Sequence, residues 1–198
     1  MNNGSERRRI GDLQPSQLFY AFGVGAIVEL PSLSAMVMGL DDWPVEHSKE
    51  IAEERLLRAV QKDLGSQVAE LRTPPVSEDA NGAASPLDES QSIGVPVAPF
   101  PRWVVCPHCR LLTSINSGLL ELKVDVFRKD RTRYVHRNCT KPGRPPTVVP
   151  ARFLVACPKG HLSDFPWAEY VHGGETDCKY ELSLYELGAS GEVADIQV

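Results

Sequence analysis

The sequence predicts an α+β protein in which mainly short antiparallel strands surround a zinc-ribbon-like site, with a few helices. Three observations carry that expectation. Four of the five cysteines and three histidines fall in the stretch from Cys106 to His161. The apolar residues of the second half come in short alternating runs, such as Leu120, Leu122, Val124 and Val126, the period of half-buried strands. A long four-residue period is confined to Ala52, Leu56, Val60 and Leu64. With 198 residues and 42% hydrophobic content, the chain can bury a real core.

Taken in order, residues 10–72 read as an N-terminal α/β segment that opens on Pro15-Ser16-Gln17-Leu18-Phe19-Tyr20. Gly23-Val24-Gly25 invites a phosphate-loop reading, but no Gly-Lys-Ser/Thr follows and Ala26 to Leu30 has the character of a strand, so a glycine-bent buried strand is the better expectation. Asp41-Asp42-Trp43-Pro44 reads as a turn rather than a pair of catalytic carboxylates. A helix is expected over 48–64, with Ser48 as its N-cap, Gly65 as its stop and Glu54 paired with Arg58 one turn apart. Residues 73–101 shift to Pro, Ser, Ala, Gly, Asp and Glu and read as a linker or loop. From 102 to 198 a zinc-binding, β-rich domain is expected. In it Trp103 to Val105 feeds the knuckle, Leu111 to Phe127 is extended, and Pro150 to Ala156 is a strand that brings Cys157 back to the knuckle. Ala168 to His172 forms a short helix, Leu182 to Leu187 a last full strand, and Ile196 to Val198 an apolar strand start without a partner.

The cysteine cluster carries the chemistry. Cys106-Pro107-His108-Cys109 is a Cys-x2-Cys knuckle, which turns two thiolates toward one point, and ligands from later in the chain then complete a tetrahedron. Cys139, Cys157 and His161 compete for the two remaining positions. We expect Cys106, Cys109, Cys139 and Cys157 to hold zinc, with His161 as the reserve ligand and His108 pointing away. A catalytic zinc is not expected, because neither His-Glu-x-x-His nor the deaminase pairing of His-x-Glu with Pro-Cys-x-x-Cys is present. Cys157, His161 and Asp164 can be drawn as a thiol-nucleophile constellation, but the same residues suit a metal better.

A formal net charge of −5 excludes a protein that is basic all over, so a nucleic-acid surface has to be local. One candidate exists: Arg128, Lys129, Arg131, Arg133, Arg137, Lys141 and Arg144, with Asp130 the only acid among them, and with Tyr134 and His136 able to stack on bases. The plain alternative is a solvated hairpin tip. No carboxylate cluster or nucleotide loop with its lysine is present, so neither nuclease nor ATPase activity is expected. The longest apolar stretch, Phe19 to Leu30, is interrupted by Gly23, Gly25 and Glu29 and is too short to span a bilayer. No signal peptide is read at Arg7-Arg8-Arg9, so a cytoplasmic protein is expected.

Several stretches together resemble a known family. They are Pro15-Ser16-Gln17, Phe22-Gly23-Val24-Gly25-Ala26, Met38-Gly39-Leu40-Asp41-Asp42-Trp43, Arg102-Trp103 and Tyr134-Val135-His136-Arg137-Asn138-Cys139. Clearest of all are Pro150 to Cys157 and Gly160-His161-Leu162-Ser163-Asp164-Phe165-Pro166-Trp167. The chain is similar there to the DrmB family of the DISARM anti-phage defence systems, within a broader helicase-associated group. The resemblance implies metal ligation by Cys106, Cys109, Cys139 and Cys157, and a non-catalytic subunit that partners a DrmA-like helicase or translocase and engages DNA. It also implies a longer protein, of which this chain is an N-terminal piece, with Cys178 as half of a second site. Read from the residues alone, the alternatives are a free-standing zinc-stabilised nucleic-acid module and, further off, a thiol or zinc hydrolase.

Overall fold

The computed structural model describes residues 10–77, 92–125, 127–178, 180–188 and 192–198. The chain divides into two compact units, Met1–Ala26 with Val37–Val97, and Ile27–Met36 with Ala98–Val198. The division is discontinuous in sequence, because residues 27–36 fold with the second half of the chain.

In the first unit, helix α1 (Pro15–Tyr20) starts on a proline, whose missing N–H costs nothing in a first turn. The Gln17 side chain reaches back to accept from the Gln14 N–H at 2.9 Å. Two short 3-10 turns, Leu40–Asp42 and Val45–His47, follow; Asp41 and Asp42 sit in the first, and Trp43 Nε1 donates to the Met38 carbonyl at 3.0 Å. Helix α2 runs Glu54–Leu64 rather than 48–64. The six-residue difference has a cause: Thr73 donates to the Lys49 carbonyl (2.9 Å) and Ile51 to that of Leu71 (2.8 Å), while Glu50 bridges Arg72. Residues 49–51 therefore lie extended, and Glu53 rather than Ser48 caps the helix, accepting from the Arg55 N–H at 3.3 Å. Gly65, at φ 86°, ends it, and Glu54 and Arg58 pair at 3.1 Å as expected. The apolar stripe, however, is not a core stripe: no α2 residue is buried, and Leu56 and Leu64 are 50% and 59% exposed.

The second unit is built of strands. Strands β1 (Ile27–Leu30) and β2 (Leu33–Val37) form a hairpin, with Leu30 opposite Leu33, and β3 (Val97–Pro99) adds to β2. The stretch expected as linker, 73–101, thus ends in a paired strand, while residues 78–91 of it lie outside the described residues. Strands β4 (Trp103–Val105) and β5 (Leu111–Ser114) form the central hairpin. It is extended on one side by β8 (Val149–Pro150) and on the other by β11 (Leu182–Ser183), giving the order β11-β5-β4-β8. Between them in sequence lie two more hairpins, β6 (Leu120–Lys123) with β7 (Arg133–His136), and β9 (Leu154–Ala156) with β10 (Leu162–Asp164). Helix α3 (Trp167–His172) closes on Gly173 in the left-handed region.

Alternation along β4 and β5 splits the core in two, since successive strand residues face opposite ways. Val105 and Leu112 pack with Ala151, Trp167 and Leu184, joined by Phe153 and Phe165. Val104 and Leu111 pack on the other side with Cys106 and Val148, joined by Cys109, Tyr134 and Cys139. One core therefore anchors α3, and the other is continuous with the cysteines.

Three expectations change here. The strand anticipated over 150–156 is broken at Phe153, whose φ of 69° is left-handed, so β8 belongs to the central sheet and β9 leaves to pair with β10. The apolar end of the chain does find a partner: β12 (Tyr185–Glu186) pairs with β13 (Ile196–Gln197), Glu186 opposite Ile196. The strand anticipated over 182–187 is interrupted by Leu184, 2% exposed, whose N–H donates to the Arg110 carbonyl at 2.9 Å. Among the described residues no helix is long and apolar enough to cross a membrane.

Candidate metal centre

The β4–β5 turn places the first two ligands. Cys106 donates its N–H to the Leu111 carbonyl (2.8 Å) and accepts from the Arg110 N–H (2.9 Å), with Arg110 left-handed at φ 67°. That tight turn holds Cys106 (1% exposed) and Cys109 on the inner side and leaves His108 exposed, as expected. The other two come from the end of β7. His136 lies opposite Leu120 in the β6–β7 ladder, donates its N–H to the Pro146 carbonyl at 3.0 Å, and is 5% exposed. Cys139 follows three residues later.

Cys106, Cys109, His136 and Cys139 bring one ligand atom each to within 4.8 Å of all the others. The Sγ atoms of Cys106 and Cys139 are 3.8 Å apart, and Cys109 Sγ is 3.5 Å from His136 Nδ1. Tetrahedral bonds of about 2.3 Å to sulfur and about 2.0 Å to nitrogen place such donors roughly 3.5–3.8 Å apart, so the arrangement fits a zinc-sized ion. Burial pushes the Cys106 thiol up to about 11, offset in part by the Cys109 and His108 backbone N–H groups. For Cys139 burial pulls the same way, but the Lys141 backbone N–H and the neighbouring Cys109 and Cys106 thiols outweigh it and lower its pKa. A bound cation would remove the remaining thiol protons, since the metal ligand is the thiolate. Four protein donors also leave no open position for a substrate, the pattern of a structural site.

Three of the four cysteines expected to share a metal are together; Cys157 is not with them. It sits on the β9–β10 turn with its Sγ 3.3 Å from His161 Nδ1, a pair of its own. The break at Phe153 explains this, because β9 carries Cys157 away from the central hairpin. His136 takes the fourth place. The missed signal was legible: His136-x2-Cys139 repeats the spacing of Cys106-x2-Cys109. Cys178 is exposed and outside the cluster.

The expected basic surface is partly neutralised. Arg128 makes a two-pronged contact with Asp130, both bonds 3.1 Å, and Arg137 faces Glu121 at 3.7 Å. Glu121 also meets Lys123. Lys129 and Arg131 lie on one 3-10 turn, Arg133 begins β7, and Lys141 and Arg144 are exposed on the connection that follows Cys139. Lys123, Arg133 and Arg144 line an open groove with Asp125 and Phe127. The aromatics expected to stack on bases are engaged elsewhere, His136 in the cluster and Tyr134 against the core, where burial raises its pKa. Phe127, 81% exposed, is the aromatic beside the cations.

A small α+β fold of paired hairpins with a Cys3His cluster that could hold a metal ion is thus the class of protein that the sequence encodes. Residues 14–198 match the family described as a domain of unknown function, DUF8724, and the chain belongs to that family. It is also similar to the DISARM protein DrmB of Bacillus paralicheniformis, at 25% identity over 166 residues. That alignment covers 83% of this chain and 25% of the relative, so the chain spans about a quarter of the relative's length.

Proposed function

We propose that the protein is a non-catalytic component of an anti-phage defence complex, held folded by zinc, that partners a DNA helicase and contributes cations to DNA engagement. The observation that carries the reading is the similarity to a DISARM protein over 83% of the chain. The closed Cys3His set supports a structural metal. The Asp164 carboxylate, which a thiol hydrolase would use to orient His161, accepts instead from the Arg102 N–H (2.6 Å) and Nε (2.8 Å) and from the Trp103 N–H (3.4 Å). This supports a role without chemistry at Cys157. Arg133 and Arg144, which line the groove beside the Glu121-paired Lys123, favour direct contact with phosphates, and a second reading, binding of DNA without any helicase, rests on the same groove.

The experiment is a plaque assay in a host carrying the complete defence system, with Arg133→Ala/Arg144→Ala introduced in this protein, alongside binding of duplex DNA by the assembled complex over a range of salt. The expected result is weakened protection and a fall of roughly two in the slope of log affinity against log salt, because two phosphates are no longer neutralised. Unchanged slope and unchanged protection contradict the DNA role. Equal binding by the protein without its helicase favours the free-standing reading.

A further inference from the structure

We infer that the β9–β10 turn is a second metal half-site, in which Cys157 and His161 supply a thiolate and an imidazole to a zinc-class divalent ion. The two side chains already approach as chelating ligands do, Cys157 Sγ lying 3.3 Å from His161 Nδ1. Donors about 2.3 Å and 2.0 Å from one tetrahedral ion stand close to that distance.

The turn is also built like the first knuckle. Each begins with a short strand that runs into Cys-Pro: Trp103-Val104-Val105-Cys106-Pro107 and Leu154-Val155-Ala156-Cys157-Pro158. Each cysteine donates its N–H across the turn, Cys106 to the Leu111 carbonyl at 2.8 Å and Cys157 to that of His161 at 3.1 Å. Each cysteine carbonyl accepts from the left-handed residue ahead, Arg110 at 2.9 Å in one turn and Gly160, φ 85°, at 2.9 Å in the other. The β9–β10 turn is one residue shorter, so its second donor follows the left-handed residue instead of preceding it. Among the described residues β9 and β10 form a sheet of their own, and His161 at their turn is exposed and so open to a ligand from outside.

Two donors fill half of a tetrahedron. The remaining positions suit further thiolate or imidazole groups, from another part of a longer chain or from a second copy, or else water. This site is independent of the Cys106–Cys139 cluster and of the proposed defence role, neither of which uses Cys157.

The test is titration of the zinc-loaded full chain with cobalt(II), following thiolate-to-cobalt charge-transfer absorption and mass by light scattering. Expected is uptake beyond the first zinc, at one ion per chain, or one per two chains with a doubling of mass if a second copy completes the site. Cys157→Ser is expected to abolish the charge-transfer band and His161→Ala to weaken the uptake at least tenfold, both with the first zinc and the thermal midpoint unchanged. No uptake beyond one ion per chain overturns the inference. So does a second ion that both variants retain, or loss of the first zinc in Cys157→Ser, which would return Cys157 to the main cluster.

Discussion

At the scale of single residues, the candidate metal centre depends on which side chain stands with the three cysteines, and His136 does so because β7 ends beside the β4–β5 turn. Cys106→Ser is expected to lose zinc and cooperative unfolding together, since a structural zinc contributes of the order of 10 kcal/mol to such a small site; metal analysis and thermal unfolding on the same sample check this. Acid should act in the same direction as that substitution. Zinc binding displaces protons from three thiols and requires a neutral imidazole, so affinity falls as pH falls, and release should need more than one proton per ion. Chelator competition between pH 5 and 8 measures it, and a flat profile contradicts thiolate ligation. The Cys-x2-Cys knuckle was legible in the sequence because the motif is local. The exclusion of Cys157 from the cluster was not, because it depends on a left-handed Phe153 that no spacing rule reveals.

At the scale of elements, short strands hold their places through few hydrogen bonds, so individual ties matter. Asp164, with its side chain only 10% exposed, fastens the end of β10 to Arg102 and the start of β4 through three bonds. Asp164→Ala removes those three bonds while water can take up the exposed Arg102 donors, and it is expected to cost about 1–2 kcal/mol, read as a lower denaturation midpoint with an unchanged slope. Trp167 is 2% exposed and packs against Phe165 at 4.6 Å between ring centroids, so Trp167→Ala should cost about 3–5 kcal/mol. Alternation and turn residues made most strands visible in the sequence. Helix α2 starts six residues later than its apolar period suggests, because periodicity is blind to a competing ladder, here the pairing of 49–51 with 71–73. Its Leu56 and Leu64 satisfy a helical period without being buried, since periodicity reports an amphipathic face and not what covers it.

At the scale of the molecule, charge had to be read in three dimensions. Along the sequence the segment 128–144 opposes its cations with Asp130 alone, yet Glu121 from the paired strand lies against Arg137 and Lys123. With Lys123 held by Glu121, Arg133 and Arg144 beside Phe127 form a smaller surface than composition suggested, which fits the proposed contribution to DNA engagement within an assembly better than tight binding by this chain alone. The association with residues 27–36 was equally invisible, since nothing in that hairpin names the second half of the chain as its partner.

The most direct test is zinc affinity at the first equivalent, by chelator competition, for the wild type, His136→Ala and Cys157→Ser. A Cys106, Cys109, His136 and Cys139 centre predicts a loss of at least about a hundredfold in His136→Ala, with Cys157→Ser within a few fold of wild type. The reverse order, His136→Ala near wild type and Cys157→Ser severely weakened, would contradict it and restore the ligand set that the cysteine spacing first suggests.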